Sequence, residues 1–168
     1  ADGQPGPWLR ILRRDAAPNQ YELGDAPPVP DVAASPGEFG RTLDAREQMS
    51  PFAGTDFWIA DLGLEFLFWP HQRLVKKEMI RGQFCHVLES VNPAPAPGGY
   101  CRVVAWIDLD TQGIVYAEAY ESNGRRLKEF APKRFAKVDG QWQVREIEIR
   151  NLRTGSRTRL EFTPENPP

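Results

Sequence analysis

The chain has 168 residues, of which 16 are proline, with 40% apolar, 26% charged and 11% aromatic side chains. Five tryptophans and nine phenylalanines supply material for a core, which excludes a disordered proline-rich linker. A balance of 21 basic against 23 acidic residues excludes a chain drawn as a whole to phosphate backbones or anionic surfaces.

The prolines are placed unevenly. Eight lie in residues 1–51, three between Pro93 and Pro97 and three in the last five residues, with Pro70 and Pro132 standing apart. Residues 1–50 read as an irregular, proline-rich leader. It carries one strand, Trp8 to Arg13, a short companion at Tyr21 to Leu23, a coil over 24–38 and a short helix near Phe39 to Met49. Residues 51–70 read as an aromatic helix and cover. Thr55 or Asp56 is placed to cap its first turn and Gly63 to close its last. The longest apolar stretch, Phe57 to Trp69, is broken by Asp61 and Glu65 and falls short of the about 20 residues that a spanning helix needs, so the chain is not expected to cross a membrane.

From His71 onward the turn signals become regular. Arg81-Gly82, the Pro93 to Gly99 loop, Asp110 to Gly113, Asn123-Gly124, Asp139-Gly140 and Thr154-Gly155 separate runs of strand composition. Asn-Gly and Asp-Gly favour hairpins because both turn residues must tolerate positive φ. Seven strands follow, near 71–80, 83–91, 100–109, 114–122, 125–138, 141–151 and 156–163. The sixth breaks its own period: Trp142 and Val144 share one phase, Ile147 and Ile149 the other, so a β-bulge is expected near Arg145-Glu146. Pro132 implies a break or an edge in the fifth. The expected fold is a single mainly-β domain over residues 1–168. Its antiparallel meander is bent and highly twisted, with one curved face that the aromatic segment 57–69 is placed to fill.

Catalysis has no signature here: Gly-x-Ser-x-Gly, His-Glu-x-x-His, phosphate-loop and dinucleotide glycine motifs are all missing from the sequence. No enzyme, cofactor or metal is expected. Glu146 and Glu148 alternate with Ile147 and Ile149, as on a solvated strand face. The basic run from Arg125 to Lys137 fits edge-strand protection or an acidic protein partner better than nucleic acid, for which the overall basic footprint is missing. The aromatic set Phe57, Trp58, Phe66, Phe68, Trp69, Trp106, Tyr116, Trp142 and Phe162 has two readings. It lines a pocket for a hydrocarbon chain, or it plugs the concave face as core.

Several strings together are similar to the bacterial outer-membrane lipoprotein-sorting (LolA-like) family over residues 51–163. They are Gly54-Thr55-Asp56-Phe57 with Asp61-Leu62, Gly82 followed by Cys85-His86-Val87-Leu88-Glu89, Val104-Ala105-Trp106-Ile107-Asp108, Asp139-Gly140-Gln141-Trp142, Glu146 to Asn151, and Arg153 to Thr158. The resemblance implies an unclosed antiparallel barrel with helices over its concave side. It also implies a periplasmic location after removal of a signal peptide, and a non-enzymatic carrier of a lipid or lipoprotein acyl chain. The alternative is a cell-envelope protein-interaction module closed by its own aromatics. Fewer strands precede Thr55-Asp56-Phe57 than the family usually has. In an oxidising periplasm, Cys85 and Cys101 on neighbouring strands form a disulfide if they face each other; two buried thiols are the alternative.

Overall fold

The structure, a computed structural model, describes residues 6–14, 17–26, 37, 39–138 and 140–162. The chain divides into two compact units, Ala1–Trp69 and Pro70–Pro168. Most of the coil expected over 24–38 lies outside the described residues, as does Asp139 of the expected Asp-Gly turn.

In the first unit, β1 (Trp8–Arg14), β2 (Ala17–Gly24) and β3 (Arg41–Thr42) form an antiparallel sheet in that order. Arg10 stands directly opposite Glu22, and the guanidinium Nε donates to the fully buried carboxylate at 3.0 Å. Tyr21, Leu43 and Ile59 form the core, with Leu9, Ile11, Leu23 and Phe52 packed against them. The helix expected near 39–49 is the single turn α1 (Ala45–Gln48). The Asp44 side chain accepts from the Arg46 and Glu47 amides, and the Glu47 carboxylate accepts from the Asp44 amide. These bonds hold the Glu47 carboxyl below the usual carboxylate range.

The expected capping by Thr55 or Asp56 does not occur. The Thr55 hydroxyl donates to the Phe52 carbonyl and accepts from the Phe57 amide, so it stabilises a turn before the helix. Helix α2 (Ile59–Leu62) starts later, with Trp58 at the cap position and its amide donating to the Asp61 carboxylate at 2.7 Å. Gly63 closes the helix as expected, its amide donating to the Asp61 carbonyl; Leu64 follows in the left-handed region, with φ 49°, and leads into a 3-10 turn over Glu65–Phe68.

The second unit is a seven-stranded antiparallel meander: β4 (His71–Ile80), β5 (Gln83–Val91), β6 (Arg102–Asp108), β7 (Ile114–Tyr120), β8 (Arg126–Val138), β9 (Gln141–Asn151) and β10 (Arg157–Glu161). Strands pair in chain order, so β4 and β10 are the two ends of the ladder and, among the described residues, the sheet does not close, as an unclosed half-barrel requires. Arg81 and Gly82 both have positive φ, 52° and 80°, which a two-residue hairpin turn of this hand demands. The bulge expected near Arg145-Glu146 is present: Glu146 faces Arg134 and Val144 faces Phe135, leaving Arg145 as the extra residue. Lys133 is a second extra residue, on β8 beside Pro132.

Of the two readings of Cys85 and Cys101, the disulfide does not form and the unbonded thiols hold, Cys85 buried and Cys101 half-buried. Cys85 pairs with Asp108, whereas the Cys101 carbonyl accepts from the Asn92 amide at the far end of the same hairpin. Seven strand positions separate Cys85 from Asn92, roughly 23 Å at the rise of an extended chain, far beyond the reach of a disulfide. Both thiols are free, and burial pushes that of Cys85 up.

Candidate functional site

A cavity opens in the second unit where the ladder stops. Strand β7 pairs with β8 only as far as Ala117 opposite Phe130, yet β8 continues to Val138. Pro132 has no amide to offer, and from there β8 pairs only with β9. The extra residues Lys133 and Arg145 disrupt the register of this hairpin, and such insertions bend a strand pair and raise its twist. A cavity of about 480 Å³ lies between Ile114 and Val115 of β7 and Pro132, Phe135, Trp142 and Val144 of the hairpin. Arg81 and Gln83 of the β4–β5 turn, with Thr111 and Gly113 of the β6–β7 turn, complete its lining.

Met79 and Phe84 pair next to the β4–β5 turn, at the same end of the meander as Phe135 and Trp142 of the β8–β9 hairpin. Met79, Phe84, Phe135 and Trp142 remain 57%, 62%, 50% and 66% exposed. Exposed large apolar groups concentrated at one end of a sheet mark a binding surface more often than solitary ones do.

Among the described residues, the lining contains no carboxylate. Arg81 supplies its cation: the guanidinium lies 5.2 Å from the Tyr116 ring centroid, and Nη1 donates to the Val115 carbonyl at 3.4 Å. Asp108 at the end of β6 is turned to Thr111, whose hydroxyl and amide both donate to it, and these bonds lower its pKa. Among the described residues, no group of three or more His, Cys, Asp or Glu side chains is placed to hold a metal ion.

Of the nine aromatic candidates read from the sequence, Trp142 lines the cavity. Phe57, Trp58, Phe66 and Trp69 are buried in the first unit, and Phe68 there lies under the Arg13 guanidinium at 5.6 Å. Trp106 and Tyr116 are paired cross-strand outside the lining, with ring centroids 5.3 Å apart and the indole nitrogen donating to Glu78 at 2.5 Å. Phe162 follows β10 and is exposed. Ile114, Val115, Phe135, Val144 and Arg81 were not singled out by sequence. The signals pointing to them are Pro132 and the broken phase of β9, which mark where the sheet opens.

This unclosed meander is the LolA-like fold. Three solved structures share it. A DUF1329 family protein from Desulfovibrio piger is 22% identical, with a TM-score of 0.71 over 96% of this chain and 65% of its own. An outer membrane lipoprotein-sorting protein domain from Vibrio parahaemolyticus is 21% identical, with a TM-score of 0.64 over 90% of this chain and 72% of its own. A LolA superfamily protein from Nitrosomonas europaea is 20% identical, with a TM-score of 0.58 over 89% of this chain and 67% of its own. Residues 40–165 match the model of a family described as "Uncharacterized protein", and the chain belongs to that family. No curated protein matches the chain.

Proposed function

We propose that the protein is a non-catalytic periplasmic carrier that holds a hydrocarbon chain, the acyl part of a lipid or lipoprotein, in the cavity between β7 and the β8–β9 hairpin. The observation that carries this reading is the cavity itself: about 480 Å³, predominantly apolar, with Phe135 and Trp142 exposed beside it. That volume falls within the range of about 300–1,000 Å³ typical of small-molecule sites. Each buried methylene contributes about 0.8 kcal/mol, so roughly ten give micromolar binding before ordering costs are subtracted. The likeness to a lipoprotein-sorting domain supports the cell-envelope setting. Among the described residues no helix is long and apolar enough to cross a membrane.

A second reading is favoured by a different observation. Phe57, Trp58, Phe66 and Trp69 are already packed, as expected of an envelope interaction module closed by its own aromatics. Native mass spectrometry of protein purified from its own cells, with displacement of a dansylated fatty acid, separates the two. The carrier reading expects one co-purifying or displaceable chain per protein, lost when Val144→Trp fills the cavity. A dry protein with no displaceable probe overturns it.

A further inference from the structure

We infer that the chain held in this cavity ends in an anionic group, a carboxylate or a phosphate, and that Arg81 recognises it. The inference rests on the hydrocarbon-binding reading above and specifies the ligand's other end. Arg81 lines the cavity, and its ring contact and single long hydrogen bond leave most of its five donors unused. Among the described residues it has no carboxylate partner, although most other arginines of this sheet do, including Arg73, Arg102, Arg126, Arg153 and Arg159.

The backbone adds an independent observation. Arg81 sits at φ 52°, in the first position of a tight hairpin turn where Asn, Asp or Gly is the usual residue. A long cation in that strained position has its guanidinium held over the Tyr116 ring, beside a mainly apolar lining that holds no acid among the described residues. Lys137 extends the positive rim: it pairs with Trp142 in register and so shares its face. Asp110 is exposed in the β6–β7 turn and is not part of the lining. Apolar walls with one placed polar group define a site for an amphiphile, and the sign of that group selects its head.

The test compares oleate, oleyl phosphate and oleyl alcohol as competitors of the dansylated probe, in the full chain and in Arg81→Asn and Arg81→Lys. Asparagine tolerates the positive φ and removes the guanidinium with its contacts to Tyr116 and Val115; circular dichroism verifies that the variants fold. The expected result is that the native chain binds one or both anionic ligands about tenfold more tightly than the alcohol, in line with a charge-assisted hydrogen bond at a partly wet site. Preference for oleate identifies a fatty-acid carboxylate, preference for the phosphate a lipid headgroup. Arg81→Asn brings all three ligands to the affinity of the alcohol, and Arg81→Lys retains part of the preference. Equal binding of the three by the native chain, or an anion preference that survives in Arg81→Asn, overturns the inference while leaving hydrocarbon binding in place. Failure of all three to bind the folded native chain overturns the hydrocarbon reading itself.

Discussion

Glu65 is the residue at which burial and chemistry collide. Its carboxyl is buried in the first unit and accepts from the Tyr21 hydroxyl at 2.7 Å, while Asn19 Nδ2 donates to the Gly63 carbonyl at 3.1 Å. Gly63 is confined to glycine by this arrangement, since a Cβ there would lie 2.1 Å from the Tyr21 hydroxyl oxygen. Burial raises the Glu65 pKa, and the hydrogen bonds from Tyr21 and Asn19 offset the rise only in part. The unfolded group titrates near 4.5 and the folded group above it, so between those values the native state holds the extra proton. The contribution of Glu65 to stability is therefore fully present below pH 4.5 and falls as pH rises through the folded value. Glu89, Glu121 and Glu148 act in the opposite sense, because hydrogen bonds from basic partners hold their pKa values down. The contribution of Glu65 thus emerges by difference. Urea unfolding of the native chain and Glu65→Gln between about pH 4 and pH 8 should show the native chain losing stability relative to the variant as pH rises. Parallel profiles would refute the buried-acid account.

Among the elements, the β8–β9 hairpin connects sequence to site most directly. Its broken phase is readable in the sequence, because Trp142 and Val144 fall on one face with Ile147 and Ile149 only if Arg145 is extra. Deleting Arg145 moves either these isoleucines or Trp142 and Val144 to the wrong face, since a one-residue slip inverts every side chain. Arg145 deletion should lower the thermal midpoint by several degrees or more and abolish probe binding; a deletion protein with native stability and binding would show that the bulge is dispensable. The strand boundaries were legible because hairpin turns need Gly or Asn at positive φ. Strand β3 was not, since two residues carry no period, and β2 begins at Ala17-Pro18-Asn19, whose composition reads as coil. The register of the β5–β6 hairpin was equally hidden, because the loop between the strands sets it, and with it the separation of Cys85 from Cys101. The cavity was legible only as a proline and a phase error. Its walls lie on different strands, and their meeting depends on the ladder ending at Phe130.

For the whole molecule, near-neutral charge and uneven prolines now have separate meanings. The balance of charge is local: cross-strand ion pairs such as Arg159–Glu148 and Arg102–Glu89 lie on the sheet face opposite Leu88, Ala105 and Ile149. Their carboxylates are largely buried and their guanidinium groups less so, and the cost of desolvating the charges offsets much of the attraction, so the apolar face supplies the greater share of the driving force. The prolines mark the leader, the loops and the single place where the meander parts. The central claim is that a hydrocarbon chain enters at that parting, against Trp142. Brominated stearate, whose bromines quench tryptophan fluorescence on contact, tests it most directly. The account predicts saturable quenching in the native chain that is largely lost in Trp142→Phe, although Trp8, Trp58, Trp69 and Trp106 remain. Quenching that persists undiminished in Trp142→Phe, or that never saturates in the native chain, would contradict it.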